Sequence, residues 1–203
     1  LYLGDSDVVI TGGVDCLNNP LMYMCFAKTT ALSVTGDCRP FSDGADGTIL
    51  GEGVGMVALK RLEDAERDGD RIYAVIRGLG SSSDGRAKSI YAPVASGQAK
   101  AMRRAYEKAD YGPDTVELVE AHGTGTKAGD LEEFTSVSTV FRESGRTGTW
   151  AQLGSVKSQI GHTKAAAGSA GLFKIVMALH HKILPPTIKV DRPSSRIEFD
   201  GSP

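Results

Sequence analysis

Twice in this chain a short strand-forming run stops at a glycine turn carrying a histidine, and each turn opens into a helix. The first run is Val116 to Glu120, followed by Ala121, His122 and Gly-Thr-Gly-Thr126, with Glu132, Glu133 and Phe134 in the first turns of the next helix. The second is Gly154-Ser-Val-Lys-Ser-Gln-Ile-Gly-His-Thr163, with an Ala/Gly-rich helix just beyond. Repeated strand, turn and helix predict an α/β domain with at least partly parallel pairing. Open sheets of that class bind ligands beyond the carboxyl ends of their strands, where both histidines fall. Gly123, Gly125 and Gly129 allow positive φ and close approach. Thr124 and Thr126 add hydroxyls that both donate and accept hydrogen bonds. His122, His162 and a buried lysine, Lys157, are therefore expected to converge on one pocket, the imidazoles acting as acid, base or electrostatic stabiliser.

The remaining elements follow from local signals. Asp7 to Gly13 reads as a buried strand stopped by two glycines. Asn19 and Pro20 mark a helix start, cap and first position, and the Met-rich residues 21–28 fill a core. Residues 33–53 form a long loop whose Asp43, Asp46 and Glu52 lack the alternation of a calcium loop; Asx turns account for them. Val54 to Lys60 is a strand, Leu62 to Arg67 a short helix ending at Gly69, and Arg71 to Gly78 a further strand. Ser81 to Lys88 is a polar loop near enough to rim a site. Ser96 caps a helix from Gly97 to Ala109. Helices run from about Asp130 to Phe141 and from about Lys164 to His181. Lys174, His180, His181 and Lys182 suit the negative end of the last helix. Pro185-Pro186 ends that element, and the tail from Asp191 is irregular.

Composition narrows the function. The 203 residues suffice for one domain with a sizeable core. A net charge of −2 offers no general attraction to nucleic acid or anionic membrane. No apolar run reaches the ~20 residues of a membrane span. Cys16, Cys25 and Cys38 are odd in number and lack metal-ligand spacing. Without a secretory signal they are expected to be reduced, in the cytoplasm. Their apolar or loop contexts argue against a nucleophile. Gly123-Thr-Gly-Thr-Lys127 leaves a phosphate site open, though it lacks P-loop spacing. Two histidines without a clear third ligand make a metal hydrolase weaker still, and no metal is expected.

Glu120-Ala-His-Gly-Thr-Gly-Thr126 and Gly154-Ser-Val-Lys-Ser-Gln-Ile-Gly-His162 resemble the two histidine motifs of β-ketoacyl synthases. The similarity extends to Asp43-Gly-Ala-Asp-Gly47, Gly51 to Leu62 and Leu184-Pro-Pro-Thr187. It implies a thiolase-like layered α/β/α/β/α fold and a decarboxylative Claisen condensation. His122, His162 and Lys157 would be catalytic, and Thr124 and Thr126 would contact a pantetheine arm. Asp130 and Glu133 would support them, Glu133 pairing with Lys157. No cofactor would bind directly, since the substrate rides on the phosphopantetheine of an acyl carrier protein. The intact protein would be a homodimer.

The family's nucleophilic cysteine lies upstream of a strand resembling Asp7 to Gly13. Its closing glycine-rich segment lies beyond Pro203. The resemblance thus makes residues 1–203 an incomplete ketosynthase, the end of the first half and most of the second, expected to be inactive alone. Gly125-Thr-Lys-Ala-Gly-Asp130, Gln159, Lys164 and Ser81 to Ala92 look like iterative synthases of the polyunsaturated fatty acid, enediyne or heterocyst-glycolipid kind. The rival is a non-catalytic, chain-length-factor partner; retention of both histidines and Lys157 argues for the enzyme.

Overall fold

Two small sheets carry the chain. In the computed structural model, which describes residues 1–86 and 92–203, β1 (Val8–Asp15) and β2 (Gly53–Lys60) pair antiparallel, from Val8 opposite Lys60 to Asp15 opposite Gly53. β3 (Leu118–Glu120) and β4 (Gln152–Gly154) pair in parallel. Between the paired elements run α1 (Pro20–Lys28), α2 (Leu62–Asp68), α3 (Ala95–Ala109) and α4 (Lys127–Arg142), and after β4 come α5 (Lys157–Ile160) and α6 (Ala167–His181). The β3–α4–β4 passage is a βαβ unit, because parallel neighbours need a crossover between them. Helix α6 packs on the β1–β2 ladder, and α3 packs on α4. The alternation of strand and helix thus yields the mixed α/β class, with parallel pairing in the sheet that bears the first histidine.

Local chemistry accounts for the boundaries. The Asn19 side chain accepts the Met22 amide at 3.0 Å and Pro20 opens α1, as the sequence predicts. Gly69, at φ 69°, ends α2 in a left-handed cap. The strand expected from Val116 starts late, because the Val116 amide closes a 3₁₀ turn on the Pro113 carbonyl. Helix α4 starts early, at Lys127, so Gly129 is helical and needs no positive φ.

Several expectations fail once the chain is folded. The strand read as buried from Asp7 has no buried residue, and the Met-rich helix α1 fills no core: none of its residues is buried, with Leu21 68% and Met24 59% exposed. Residues 71–78 form no strand: among the described residues their backbone groups find no ladder partner, and alternation alone makes no strand. Ser96 does not cap α3. That helix begins at Ala95, whose amide goes to the Glu132 carboxylate of α4 at 2.9 Å. Asp43 and Asp46 are not local Asx turns. Asp43 accepts the Ser195 amide at 2.6 Å, and Asp46 accepts the Ser33 hydroxyl and Thr35 amide at 2.5 and 3.0 Å. Lys157 lies at the start of α5 rather than in a strand.

The tail is irregular but docked. Ser194 donates its amide to Phe41 at 2.8 Å, and Ile197 joins Phe41 and Ala121 in a core flanked by Phe134, Leu153 and Phe199. Of the expected polar loop, residues 81–86 are exposed, while 87–91 lie outside the described residues. No helix among the described residues is long and apolar enough to cross a membrane.

Candidate active site

The two histidines meet. The rings of His122, just past β3, and His162, just past α5, stand edge to face with centroids 5.1 Å apart. Each is delivered by a different device. His122 continues β3, where the Ala121 amide still bonds the Gly154 carbonyl at 2.7 Å. His162 is tucked beside loop 49–51: its amide goes to Ile49 O at 2.7 Å, and its carbonyl accepts Gly51 N at 3.0 Å. The long Gly/Asp/Ser/Pro loop is therefore the floor of the site, which the sequence pattern did not reveal.

Asp130 and Glu133 sit three residues apart on one face of α4, a spacing that aims both at the same neighbour. Both hold backbone. Glu133 accepts the amides of His122 and Gly123 at 2.5 and 2.7 Å. Asp130 accepts those of Gly125 and Phe41 at 3.2 and 2.7 Å. Gly125 needs its φ of 72° and its missing side chain: a Cβ would lie 2.7 Å from the Gly47 carbonyl oxygen. Burial pushes Asp130 up to about 6 and raises Glu133 as well, against the amide bonds that favour their charged forms.

The expected Lys157–Glu133 ion pair does not form. Lys157 is 4% exposed. Burial lowers its pKa, while Glu133 and Glu120 act on it only across space. Glu133 is committed to the histidine turn, so its carboxylate is not free to reach the ammonium. Lys157 also acts on both imidazoles. Burial first, then the Lys157 charge, brings His122 and His162 down to about 4, so both are neutral near pH 7. The Lys164 amide donates to Nδ1 of His162 at 2.9 Å. An acceptor at Nδ1 puts the proton of a neutral ring on Nε2.

The hydroxyls of Thr124 and Thr126 lie 3.0 Å apart and sit over Gly129, bonding each other rather than either ring. Cys38 is buried beneath the turn, its thiol donating to the Thr124 carbonyl at 3.5 Å, and burial raises its pKa. Cys16 and Cys25 are exposed. Among the described residues, no group of three His, Cys, Asp or Glu side chains could hold a metal ion.

One pair of site residues escaped the sequence reading. Glu120 accepts the Val156 amide at 2.6 Å with one oxygen and pairs with Lys174 at 2.7 Å with the other, both side chains 8% exposed. Lys174 is thus mid-helix and internally paired, not a cap on the α6 dipole. The available signal was a glutamate two residues before the histidine, together with small residues Gly154 and Gly171 that leave room for the pair. A separate apolar cavity of about 700 Å³ lies between β2, α5 and α6; neither His122 nor His162 lines it.

The β-ketoacyl synthase C-terminal domain pattern matches residues 73–191, and the N-terminal domain pattern matches residues 1–65. The chain belongs to the β-ketoacyl synthase family. This ketosynthase sequence is 49% identical over its whole length to a polyunsaturated fatty acid synthase polypeptide of a Thraustochytrium species, covering 7% of that protein. It is 44% identical over 98% of its length to polyketide synthase PksL of Bacillus subtilis, covering 4% of that chain. The ketosynthase of module 6 of the Bacillus subtilis bacillaene synthase superposes over all of this chain with a TM-score of 0.97 at 43% identity. This chain covers 36% of that structure, so the thiolase-like fold is shared with a larger body. A PfaC ketosynthase–chain length factor structure is also similar, with a TM-score of 0.90 at 38% identity over 96% of this chain and 21% of that one.

Proposed function

We propose that these residues form the histidine–lysine part of a condensing site, in one ketosynthase unit spanning 1–203. The reaction joins a malonyl thioester, with loss of CO₂, to an acyl group held as a cysteine thioester. One observation carries the reading: two neutral imidazoles meet edge to face at 5.1 Å beside a buried lysine. Loss of CO₂ leaves an enolate whose oxygen needs donors already in place, and the Nε2–H of His162 is such a donor. Lys157 supplies positive potential and keeps the rings neutral rather than taking a proton itself. Asp130 and Glu133 hold the turn in register. Thr124 and Thr126 meet the pantetheine arm of a carrier-bound substrate once their mutual bond opens. The acyl carrier protein is the partner, the intact protein is a homodimer, and the setting is the cytoplasm. The iterative polyunsaturated fatty acid or related class is favoured by the likeness to the Thraustochytrium synthase.

Cys38 is held as a buried thiol, and Cys16 and Cys25 make no hydrogen bond to either histidine among the described residues. The 203 residues by themselves therefore do not condense, because no thiolate here is placed to hold the acyl group. The test supplies acyl thioester and malonyl-carrier thioester, and follows β-ketoacyl product by mass spectrometry. The intact protein should form product and the 203-residue chain should not. Product from the chain, abolished by Cys16→Ala, Cys25→Ala or Cys38→Ala, would overturn this assignment. A second reading, a chain-length-factor-like partner, is prompted by the ketosynthase–chain length factor structures. It predicts no acyl-enzyme adduct on the intact protein.

A further inference from the structure

We propose that Lys164 is a positioning residue that sets the tautomer of His162. Lys164 follows the histidine by two residues, and its own amide is the group donated to His162 Nδ1 at 2.9 Å. That amide is aimed by an uncommon backbone: Lys164 has φ 49°, in the left-handed region that a residue with a Cβ enters at a cost. The side chain holds it there. The side chain is 8% exposed, and its ammonium reaches Asn18 Oδ1 at 2.6 Å, the Gly51 carbonyl at 2.9 Å and Asp15 Oδ1 at 3.1 Å. Two hydrogen bonds and one ion pair thus engage the ammonium.

Two of those acceptors, Asp15 and Gly51, already belong to the framework around the histidine loop. Asp15 ends β1 and also accepts the Leu17 and Ala165 amides at 3.1 and 3.4 Å. Gly51 donates to the His162 carbonyl while accepting from Lys164. Gly13 admits the turn, since a Cβ there would lie 2.4 Å from the Ala165 carbonyl oxygen. The lysine thus ties the histidine loop to the end of the β1–β2 ladder. With that tie in place, Nδ1 of His162 meets an N–H in every ring-neutral state, and the proton is confined to Nε2.

The activity arm of the test rests on the condensing-site reading; the tautomer arm does not. In the intact protein carrying ¹⁵N-histidine, the His162 ring signals are assigned by their loss in His162→Gln. Wild type should show an unprotonated Nδ1 and a protonated Nε2 across neutral pH. Lys164→Ala should show mixed tautomers, and malonyl thioester decarboxylation should fall roughly tenfold or more in kcat with KM little changed. Lys164→Gly should retain more of the single tautomer and more rate than Lys164→Ala, because glycine enters φ 49° without the Cβ cost. Asp15→Asn, which keeps an acceptor oxygen, should give a smaller change in the same direction and guards against a merely unfolded Lys164 variant.

An unchanged Nε2–H signal in Lys164→Ala overturns the proposal, whether or not the rate falls. So does a Lys164→Gly variant no better than Lys164→Ala. Absence of decarboxylation in wild type would sink the condensing-site reading, and the ¹⁵N signals would then decide the role of Lys164 alone.

Discussion

The histidine turns and the β1–β2 ladder invert each other. Around His122 and His162, charged and polar groups are buried, and among the described residues no fully enclosed side-chain polar atom is left without a hydrogen-bond partner. Along the ladder, large apolar side chains face outward: Ile10 is 70% exposed and Val54 67%, with Val8, Val14 and Met56 beside them. The polar region is closed by bonds within the chain. The apolar region has faces that bonds within the chain do not cover, and an outward patch of that kind marks an interaction surface. The difference teaches that this chain holds its chemistry in a network of internal bonds and leaves one apolar face of the ladder open to solvent.

The strongest way to break that comparison is to unpair the polar interior. Lys174→Met leaves the Glu120 carboxylate buried without its counter-ion, held by the Val156 amide alone, which should cost about 3–5 kcal/mol in denaturant unfolding of the intact protein. The double variant with Glu120→Leu should recover much of it. A loss below about 1 kcal/mol for Lys174→Met would mean that the pair is not a structural tie.

Next in size is the chemistry. His162→Ala should lower malonyl thioester decarboxylation by about 10²–10³-fold, and His122→Ala comparably, as for loss of a preorganised donor. Ile10→Ser on the apolar ladder should leave that rate within about twofold. Equal losses from both regions would erase the functional half of the contrast.

The pH dependence sharpens it. The histidines titrate at about 4 in the fold against an ordinary 6.5, so the unfolded chain binds protons that the fold refuses. Their contribution to stability is present above pH 6.5 and lost as pH falls toward about 4, with a slope of at most about 1.4 kcal/mol per pH unit each. Asp130 has the opposite sign: raised to about 6 from 3.8, it favours the fold at low pH and loses that contribution as pH rises through about 6. Unfolding free energies between about pH 4 and 7 should therefore show a shallower acid loss in His122→Gln/His162→Gln, and a steeper one in Asp130→Asn. Parallel curves for all three proteins would contradict the shifts.

The smallest effect concerns the ladder. Ile10→Lys with Met56→Glu should reduce self-association of the purified 203-residue chain in sedimentation velocity, while shifting its stability by no more than about 0.5 kcal/mol. Unchanged association would place the sticky surface elsewhere.

Much of the site is legible because its signals are local. His122 two residues beyond β3, the glycine turn at 123 and 125 and the second histidine motif can all be read at short range, whereas Glu133 is legible as a site residue but not in its partner. Glu120, Lys174 and Lys164 are not legible in that way: Glu120 and Lys174 meet across 54 residues, Glu120 reaches Val156 across 36, and Lys164 reaches Asn18 across 146. The same holds for Ser96, whose expected role at the start of α3 falls to Glu132 from another helix. Arg71 to Gly78 errs in the other direction: its alternation is real, but a strand exists only with a partner ladder.

By itself the sequence determined the α/β class, the family motifs and the identity of the paired histidines, since periodicity, glycine turns and short motifs are properties of neighbouring residues. Only the tertiary structure decided that Glu133 holds the His122 turn instead of pairing with Lys157, that the 38–51 loop floors the site, and that His162 carries its proton on Nε2. Those outcomes turn on which donor reaches which acceptor across the fold, and burial then weights each pairing by the cost of leaving a polar group alone.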